Sequence, residues 1–547
     1  MMSEIRHPGK PVSTEEVRSL FLRKGLDEIP KILTLQDRNP HSPTYGCFDR
    51  NFWHYKIIDF PSGMSQELVW PLALAWMIDA PGNPYYAKES VRDWVIAGMR
   101  YACHSSHSDG SCDDYYRFEK ASGAAAFSLL AMLESFRILE SKDRQLIEFF
   151  TRRADWLSKH MESGKLANHQ ALIALCLQLA GDLVGSDRFE EAKKDRLDTV
   201  LSWQSREGWF SEYQGFDPGY HTLTITCLSW LHRINPGFAG LETALSRAID
   251  LAVEFIHPDG TCGGEYGSRN TNNYFSAGFE IAGSWKPESL YANDRYARAV
   301  LDGLTPCFSD DHILGHHAWN DLLTCLHFNS ERDYHAPVRQ TRVWLPEAGV
   351  LIDRRDGYEL YTSLNKGGVF KLFREGKLLM ADTGISARVS QRGWELTAVT
   401  HLAGGCRTEI DEDSLSVSGS MGMAKQKQMN TFNLIVLRMF MCTFGRFFPN
   451  LVRKLLQALL ITGKNDAGLS FNRKFDRISG GWKVRDEISA DDWEKVSSIG
   501  LGCDQTSIYV VMSRTFHAGN LFRFVDLSPS LKGLSSGEKL VHERILQ

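Results

Sequence analysis

The chain has no excess of basic residues: 62 lysines and arginines stand against 67 aspartates and glutamates, for a formal net charge of -5. Binding a phosphate backbone draws on released counterions and needs the opposite balance, so no nucleic-acid partner is expected. The 11 cysteines form no CxxC pair, and Cys176 and Cys227 fall inside apolar helical patterns. Reduced thiols are therefore expected rather than a disulfide framework. Zinc-ligand spacing, a P-loop and a strand-following GxGxxG are all missing, which leaves no reason to expect a metal or nucleotide cofactor. Residues Met1 to Lys10 lack an apolar core and a small-residue cleavage site, and the expectation from them is a cytoplasmic protein.

What is present is the composition of a globular protein, 43% apolar and 24% charged, at a length that calls for two or more cores. Residues 65–79, 88–101, 119–139, 142–159, 168–184, 189–206, 220–234 and 241–256 have the 3.6-residue periodicity of helices. Three of the loops between them look alike: Asp109-Gly110-Ser111-Cys112, Glu207-Gly208-Trp209-Phe210 and Asp259-Gly260-Thr261-Cys262. Gly208 and Gly260 are 52 positions apart and Gly110 and Gly208 are 98 apart, close to two such units. A helical hairpin repeated every 50 residues or so predicts an array whose equivalent loops share one face.

Past about residue 336 the pattern changes to short β runs at 341–345, 349–353, 358–363, 368–373, 378–382, 414–419 and 507–513, divided by Gly and Asp turns. That predicts an antiparallel sandwich. The expected architecture is α+β and multidomain: an N-terminal stacked or closed array of helical hairpins over 1–335 and a β-sandwich over 336–547. Residues 431–464 interrupt the sandwich. They are apolar, carry Arg438, Arg446, Arg453, Lys454 and Lys464, and include no acidic residue. Gly445, Pro449 and the frequent charges argue against a membrane span. Two readings remain: helices packed on protein with arginines outward, or a basic helix pair in peripheral contact with a membrane.

Two loops carry the chemistry. Ala167-Asn168-His169-Gln170 and Asp217-Pro218-Gly219-Tyr220-His221 each open a long apolar helix, and Tyr220 lies 51 positions after His169. An amide, an imidazole and a phenol on one repeat face suit proton abstraction beside a carboxylate. Taken singly, Asn168 also fits an N-cap and Tyr220 a core aromatic.

With these residues the chain resembles the heparinase II/III-like polysaccharide lyases, related to alginate lyases and a uronyl epimerase, which have a toroid followed by a sandwich. The resemblance implies that the helical array over 1–335 is an (α/α) toroid of helical hairpins, and that the chain is a lyase that cleaves a uronic-acid-containing glycan by β-elimination. Asn168 would neutralise the uronate carboxylate, His169 would act as base or stabiliser, and Tyr220 would protonate the departing oxygen. The family also brings a histidine from the early sandwich. Here Asn365 to Phe373 contains none, and Lys366 or His401 would have to stand in. Alternatives are a uronate C5-epimerase and a non-catalytic glycan-binding or assembly protein of polysaccharide biosynthesis. The expected partner is an acidic polysaccharide or oligosaccharide, with sugar contacts from Tyr116, Arg117, Glu119, Tyr213, Glu265 and Arg269 on the repeat loops. Arg50, Trp53 and His54 join them from the aromatic-rich stretch near the start.

Overall fold

Two kinds of helix alternate along residues 14–326. Ser122–Ile138, Ala167–Val184 and Pro218–Ile234 are apolar on nearly every face and largely buried. Arg144–Lys159 and Leu241–Glu254 instead bury one stripe and expose the rest. In the computed structural model, Val69–Met77, Ser122–Ile138, Ala167–Val184, Pro218–Ile234, Ala277–Ala282 and Leu314–Leu326 touch in that order, and the last returns to the first. The striped helices cover this ring from outside, and Thr14–Leu26 backs Leu314–Leu326. The structure describes residues 4–7, 10–162, 164–213, 215–307, 311, 313–391, 393–424, 430–460, 466–502, 511–513, 515, 516, 519 and 521–547.

The three similar loops share a hydrogen-bond pattern. The amides of His107, Ser205 and His257 donate to the carbonyls of Ser111, Trp209 and Thr261, and the amides of Gly110, Gly208 and Gly260 donate back to the first residue of each loop. Each glycine has φ between 85° and 103° and lies against the backbone of the next outer helix. At Gly260 an added Cβ would lie 2.2 Å from the Arg295 carbonyl oxygen. Gly260→Ala is therefore expected to lose about 1–3 kcal/mol of stability. Gly303→Ala, also at positive φ but in open space, should lose less, and urea unfolding midpoints compare the two.

The N-terminal strands β1 (Glu4–His7) and β2 (Lys10–Ser13) pair antiparallel. The remaining strands form two antiparallel sheets. One runs in sequence order: β3 (Arg342–Leu345), β4 (Val350–Arg355), β5 (Tyr358–Ser363), β6 (Val369–Arg374) and β7 (Lys377–Asp382). The other comprises β8 (Ile385–Gln391), β9 (Trp394–Ile410), β10 (Ser414–Ala424), β11 (Asp466–Ile478), β12 (Gly481–Ala490), β13 (Val496–Leu501), β14 (Val525–Asp526) and β15 (Lys539–Leu546), in the order β14-β13-β8-β9-β10-β11-β12-β15. Alternation gives β5 and β6 two faces. Leu360, Phe370 and Leu372 share a core with Val417, Phe475 and Val484 of the larger sheet. Tyr361 and Phe373 pack with Phe216, Phe255 and Tyr266 of the helical part.

Some sequence expectations need correction. Of the strand expected over 507–513, the structure describes only Val511–Ser513, which is a short 3-10 turn. The longest strands, β9 and β11, were not foreseen, because Gly404-Gly405 reads as a turn and Arg473 and other charges interrupt the alternation of β11. Of the segment 431–464, residues 431–460 are described, and between β10 and β11 they form two helices, Thr431–Thr443 and Pro449–Leu460. Their described apolar side chains point mostly outward rather than onto protein, and of the arginines Arg438 and Arg446 are exposed while Arg453 points inward.

Candidate active site

Helix Ala167–Val184 begins one residue before Asn168, with Leu166 in the cap position and no side-chain cap. Asn168 is therefore not the N-cap that its residue type suggests. Its amide is buried, and neither polar atom has a hydrogen bond of normal geometry. A buried amide without partners is costly unless something polar reaches it.

The second loop comes to it directly. Leu166 and Glu212 form a β-bridge, the Tyr213 amide donates to the Lys165 carbonyl at 2.9 Å, and the Asn168 amide N–H lies 3.5 Å from Glu212 Oε2. Asp217 caps helix Pro218–Ile234, accepting from the Tyr220 amide at 3.2 Å, and it also holds the Arg269 amide at 2.9 Å and the Thr271 hydroxyl. The Tyr213 and Tyr220 rings lie 6.3 Å apart, and the Arg269 guanidinium sits 3.6 Å over Tyr213. Asn168, His169, Glu212, Tyr213, Tyr220 and Arg269 thus gather at neighbouring helix starts.

His169 Nδ1 hydrogen-bonds Glu162 Oε2 at 2.7 Å, and Arg453 pairs with Glu162 Oε1 at 2.7 Å. Burial alone would lower the His169 pKa, but the Glu162 charge and hydrogen bond outweigh it and raise it. Burial would raise Glu162 in turn, yet His169 and Arg453 hold it below the usual carboxylate range. Arg453 also reaches Glu119 Oε1 at 3.4 Å. Burial pushes Glu119 up to about 7 against the pull of Arg453 and the Tyr115 amide. Glu212 goes further, to about 8, because burial exceeds the stabilisation from His169 and Asn168. Burial, with Tyr213 and Glu212 nearby, raises Tyr220 well above the ordinary phenol value. At neutral pH the site therefore favours a protonated Tyr220 phenol and a protonated Glu212, beside a Glu162 carboxylate that makes His169 more basic than a free imidazole.

Of the expected sugar contacts, Tyr116 and Glu119 lie beside Arg453, and Tyr213 and Arg269 beside Tyr220. Arg117 is half-exposed and faces Asp59 at 3.5 Å. Glu265 lies 3.7 Å from Lys371, on the strand side of its loop. Arg50, Trp53 and His54 form a separate group. The Trp53 indole donates to the Leu35 carbonyl at 2.7 Å and stacks edge-on with His54, and Arg50 lies over Tyr55.

Lys366 reaches across from the five-stranded sheet, but its ammonium is taken up by the carbonyls of Glu265 and Gly267 at 2.7 and 2.6 Å and by Asn270 Oδ1 at 2.5 Å. Burial lowers it to about 8. His401 lies on β9 rather than a loop, is buried, and has its pKa pulled down to about 3 by burial and by Lys366. A third histidine is closer to the cluster. Phe127 stacks on His316 at 4.1 Å and meets His169 edge-on at 6.2 Å, and His316 Nδ1 hydrogen-bonds Glu67 at 2.7 Å. Among the described residues, no group of three or more His, Cys, Asp or Glu side chains is placed to hold a metal ion.

Sequence reasoning missed Glu162, Glu212 and Arg453. Glu162 and Glu212 stand six residues before Asn168 and one before Tyr213, close enough for their loops to point to them. Arg453 gave no such signal, since its partner Glu162 is 291 positions away.

No family model matches the chain, and no curated protein does either. Among solved structures it is similar to a point mutant of the chondroitin AC lyase of Streptomyces coelicolor A3, with 9% identity over 90% of this chain and 68% of that one, at a TM-score of 0.49. A chondroitinase AC lyase studied in complex with oligosaccharides matches at 12% identity over 89% of this chain and 67% of that one, at a TM-score of 0.45. A heparinase III matches at 11% identity over 91% and 74%, at a TM-score of 0.43.

Proposed function

We propose that the chain is a two-domain polysaccharide lyase, with a catalytic toroid over 1–335 and a β-sandwich over 336–547, acting on a uronic-acid-containing glycan by β-elimination. The observation that carries this reading is the gathering of Asn168, His169, Glu212 and Tyr220 at neighbouring helix starts, with the Asn168 side-chain amide buried and lacking a hydrogen bond of normal geometry. Removing the proton beside a carboxylate becomes feasible when the enolate charge that builds on that carboxylate is met by hydrogen-bond donors. The Asn168 side-chain amide and the Glu212 acid are two such donors, both buried; Glu212 Oε2 rests on the Asn168 backbone N–H, and its Oε1 is left without a partner. His169, with Nδ1 fixed by Glu162, is left with Nε2 to take the proton. Tyr220, kept protonated by burial, gives its proton to the glycosidic oxygen as the C–O bond breaks.

Incubation with a panel of uronate polymers, followed by the absorbance of the unsaturated product, tests the reaction. Tyr220→Phe serves as control. If no polymer yields product above the Tyr220→Phe background, the lyase reading fails. Deuterium incorporation from solvent without chain cleavage would point instead to C5 epimerisation.

The titrations give the pH profile a sign. The rate should rise with pH as His169 loses its proton and fall as Glu212 ionises near pH 8. Glu212→Gln keeps a donor but cannot ionise, so its kcat/KM is expected to stay within about tenfold of wild type while the alkaline limb moves up. An unchanged alkaline limb would rule out Glu212 as the group behind it.

A further inference from the structure

The helix pair Thr431–Thr443 and Pro449–Leu460 exposes more apolar surface than a protein in water ordinarily leaves open. Phe432 and Phe444 are 71% and 72% exposed, and Met439, Phe447, Phe448 and Leu451 are each more than half exposed. Of the residues in this segment whose side chains are described, only Met441, Gly445 and Val452 are buried. Contiguous surface of this kind marks an interaction site.

Its charge identifies the partner. The whole chain carries -5, yet 431–464 holds five cationic side chains and no acidic one. Among them, Arg446 and Lys454 are exposed, with Arg446 over the Phe447 ring, while Arg438, also exposed, pairs with Asp59 at 3.0 Å. Protein partners that cover apolar helices ask for no such one-sided charge. A bilayer with anionic headgroups asks for apolar side chains that enter the acyl boundary and cations that remain at the phosphates. No helix among the described residues is long and apolar enough to cross a membrane, and neither helix here exceeds 13 residues. We infer that this helix pair seats the protein on an anionic membrane surface, lying in the interface rather than spanning it.

The same helix ties that surface to the cleft. Arg453 turns inward to Glu119 and Glu162, while its neighbours Lys454 and Leu455 are exposed. A bilayer engaged by the exposed face lies about one helix diameter, ~10 Å, from the Glu162–His169 pair. The inference rests on surface and charge alone, and stands whichever reaction the cleft performs.

The test is flotation of the full chain with phosphatidylcholine vesicles containing 30% phosphatidylglycerol, against pure phosphatidylcholine, at about 0.15 M salt. Binding to the anionic vesicles at least tenfold above the neutral ones is expected, weakening as salt rises. The double variant Phe444→Asp with Phe447→Asp should abolish it, and Arg446→Glu with Lys454→Glu should reduce it at least tenfold. Circular dichroism of each variant matching wild type establishes that folding is unaffected. Absence of binding to anionic vesicles overturns the inference, as does binding that survives Phe444→Asp with Phe447→Asp. Light scattering that finds a dimer lost in that double variant, without lipid binding, would assign the surface to a second copy of this chain.

Discussion

Replacing His169 with alanine is expected to lower kcat for β-elimination by about 10²–10⁴-fold, the usual contribution of a positioned general base. The ring sits against Phe127, and Gly123 leaves it room, since a Cβ at that position would lie 2.8 Å from His169 Cε1. Alanine removes the base together with its packing on Phe127 and its bond to Glu162, so an unchanged melting temperature must accompany the rate loss. A harder test is Glu162→Gln. Glu162 does not reach the sugar in this scheme. It fixes the imidazole through Nδ1 and raises its pKa. Removing that negative charge should lower the His169 pKa, so the acid limb of the kcat/KM profile should move to lower pH while kcat falls less than in His169→Ala. A merely structural Glu162 would depress the rate and leave the limb where it was. Arg453 remains beside the glutamine in this variant, so the limb shift reports the carboxylate charge itself.

The sequence made the scaffold legible wherever spacing alone determines structure. Gly110, Gly208 and Gly260 announced a repeat because a positive φ pressed against a neighbouring helix leaves room for little but glycine. Asn168, His169 and Tyr220 stand out in the sequence because they open helices of that repeat. What stayed hidden depends on contacts between distant segments. Asn168 reads as a cap, yet the bridge between Leu166 and Glu212 moves the helix start ahead of it and leaves the amide facing Glu212. Glu212 is a loop acid that nothing in its local sequence marks as buried, and that bridge holds its loop against the start of the helix. Arg453 reads as a solvated charge in a basic stretch, and becomes part of the site because the insertion between β10 and β11 folds back onto the helical part. β11 escaped notice for a related reason: its inward row of Leu469, Phe471, Arg473 and Phe475 contains a charge.

That charge sets the second large effect. Arg473 is fully buried, with Nε 2.5 Å from Asp486 Oδ1, one terminal nitrogen 3.0 Å from Asp382 Oδ1, and the same nitrogen on the Gly368 carbonyl at 3.1 Å. Arg544 completes the network at 2.7 Å from Asp382 and 3.1 Å from Asp486. Arg473→Met should lose about 3–5 kcal/mol, because two carboxylates would then share one partner in a core that cannot solvate them. The pH dependence should also change sign. In the wild type, burial would raise Asp382, but Arg473 and Arg544 hold it below the ordinary value. Its contribution is therefore complete above the unfolded pKa near 3.9 and is lost as the pH falls through the lower folded value. In Arg473→Met at least one carboxyl should titrate above its unfolded value, so acidification from about pH 7 to pH 5 should raise the melting temperature. Adding Asp486→Asn to Arg473→Met should restore part of the loss at pH 7 and remove this inverted dependence. Calorimetric scans of the three proteins at both pH values would decide it, and a variant that melts with wild type at pH 7 would show that the network adds nothing to the stability of the sheet.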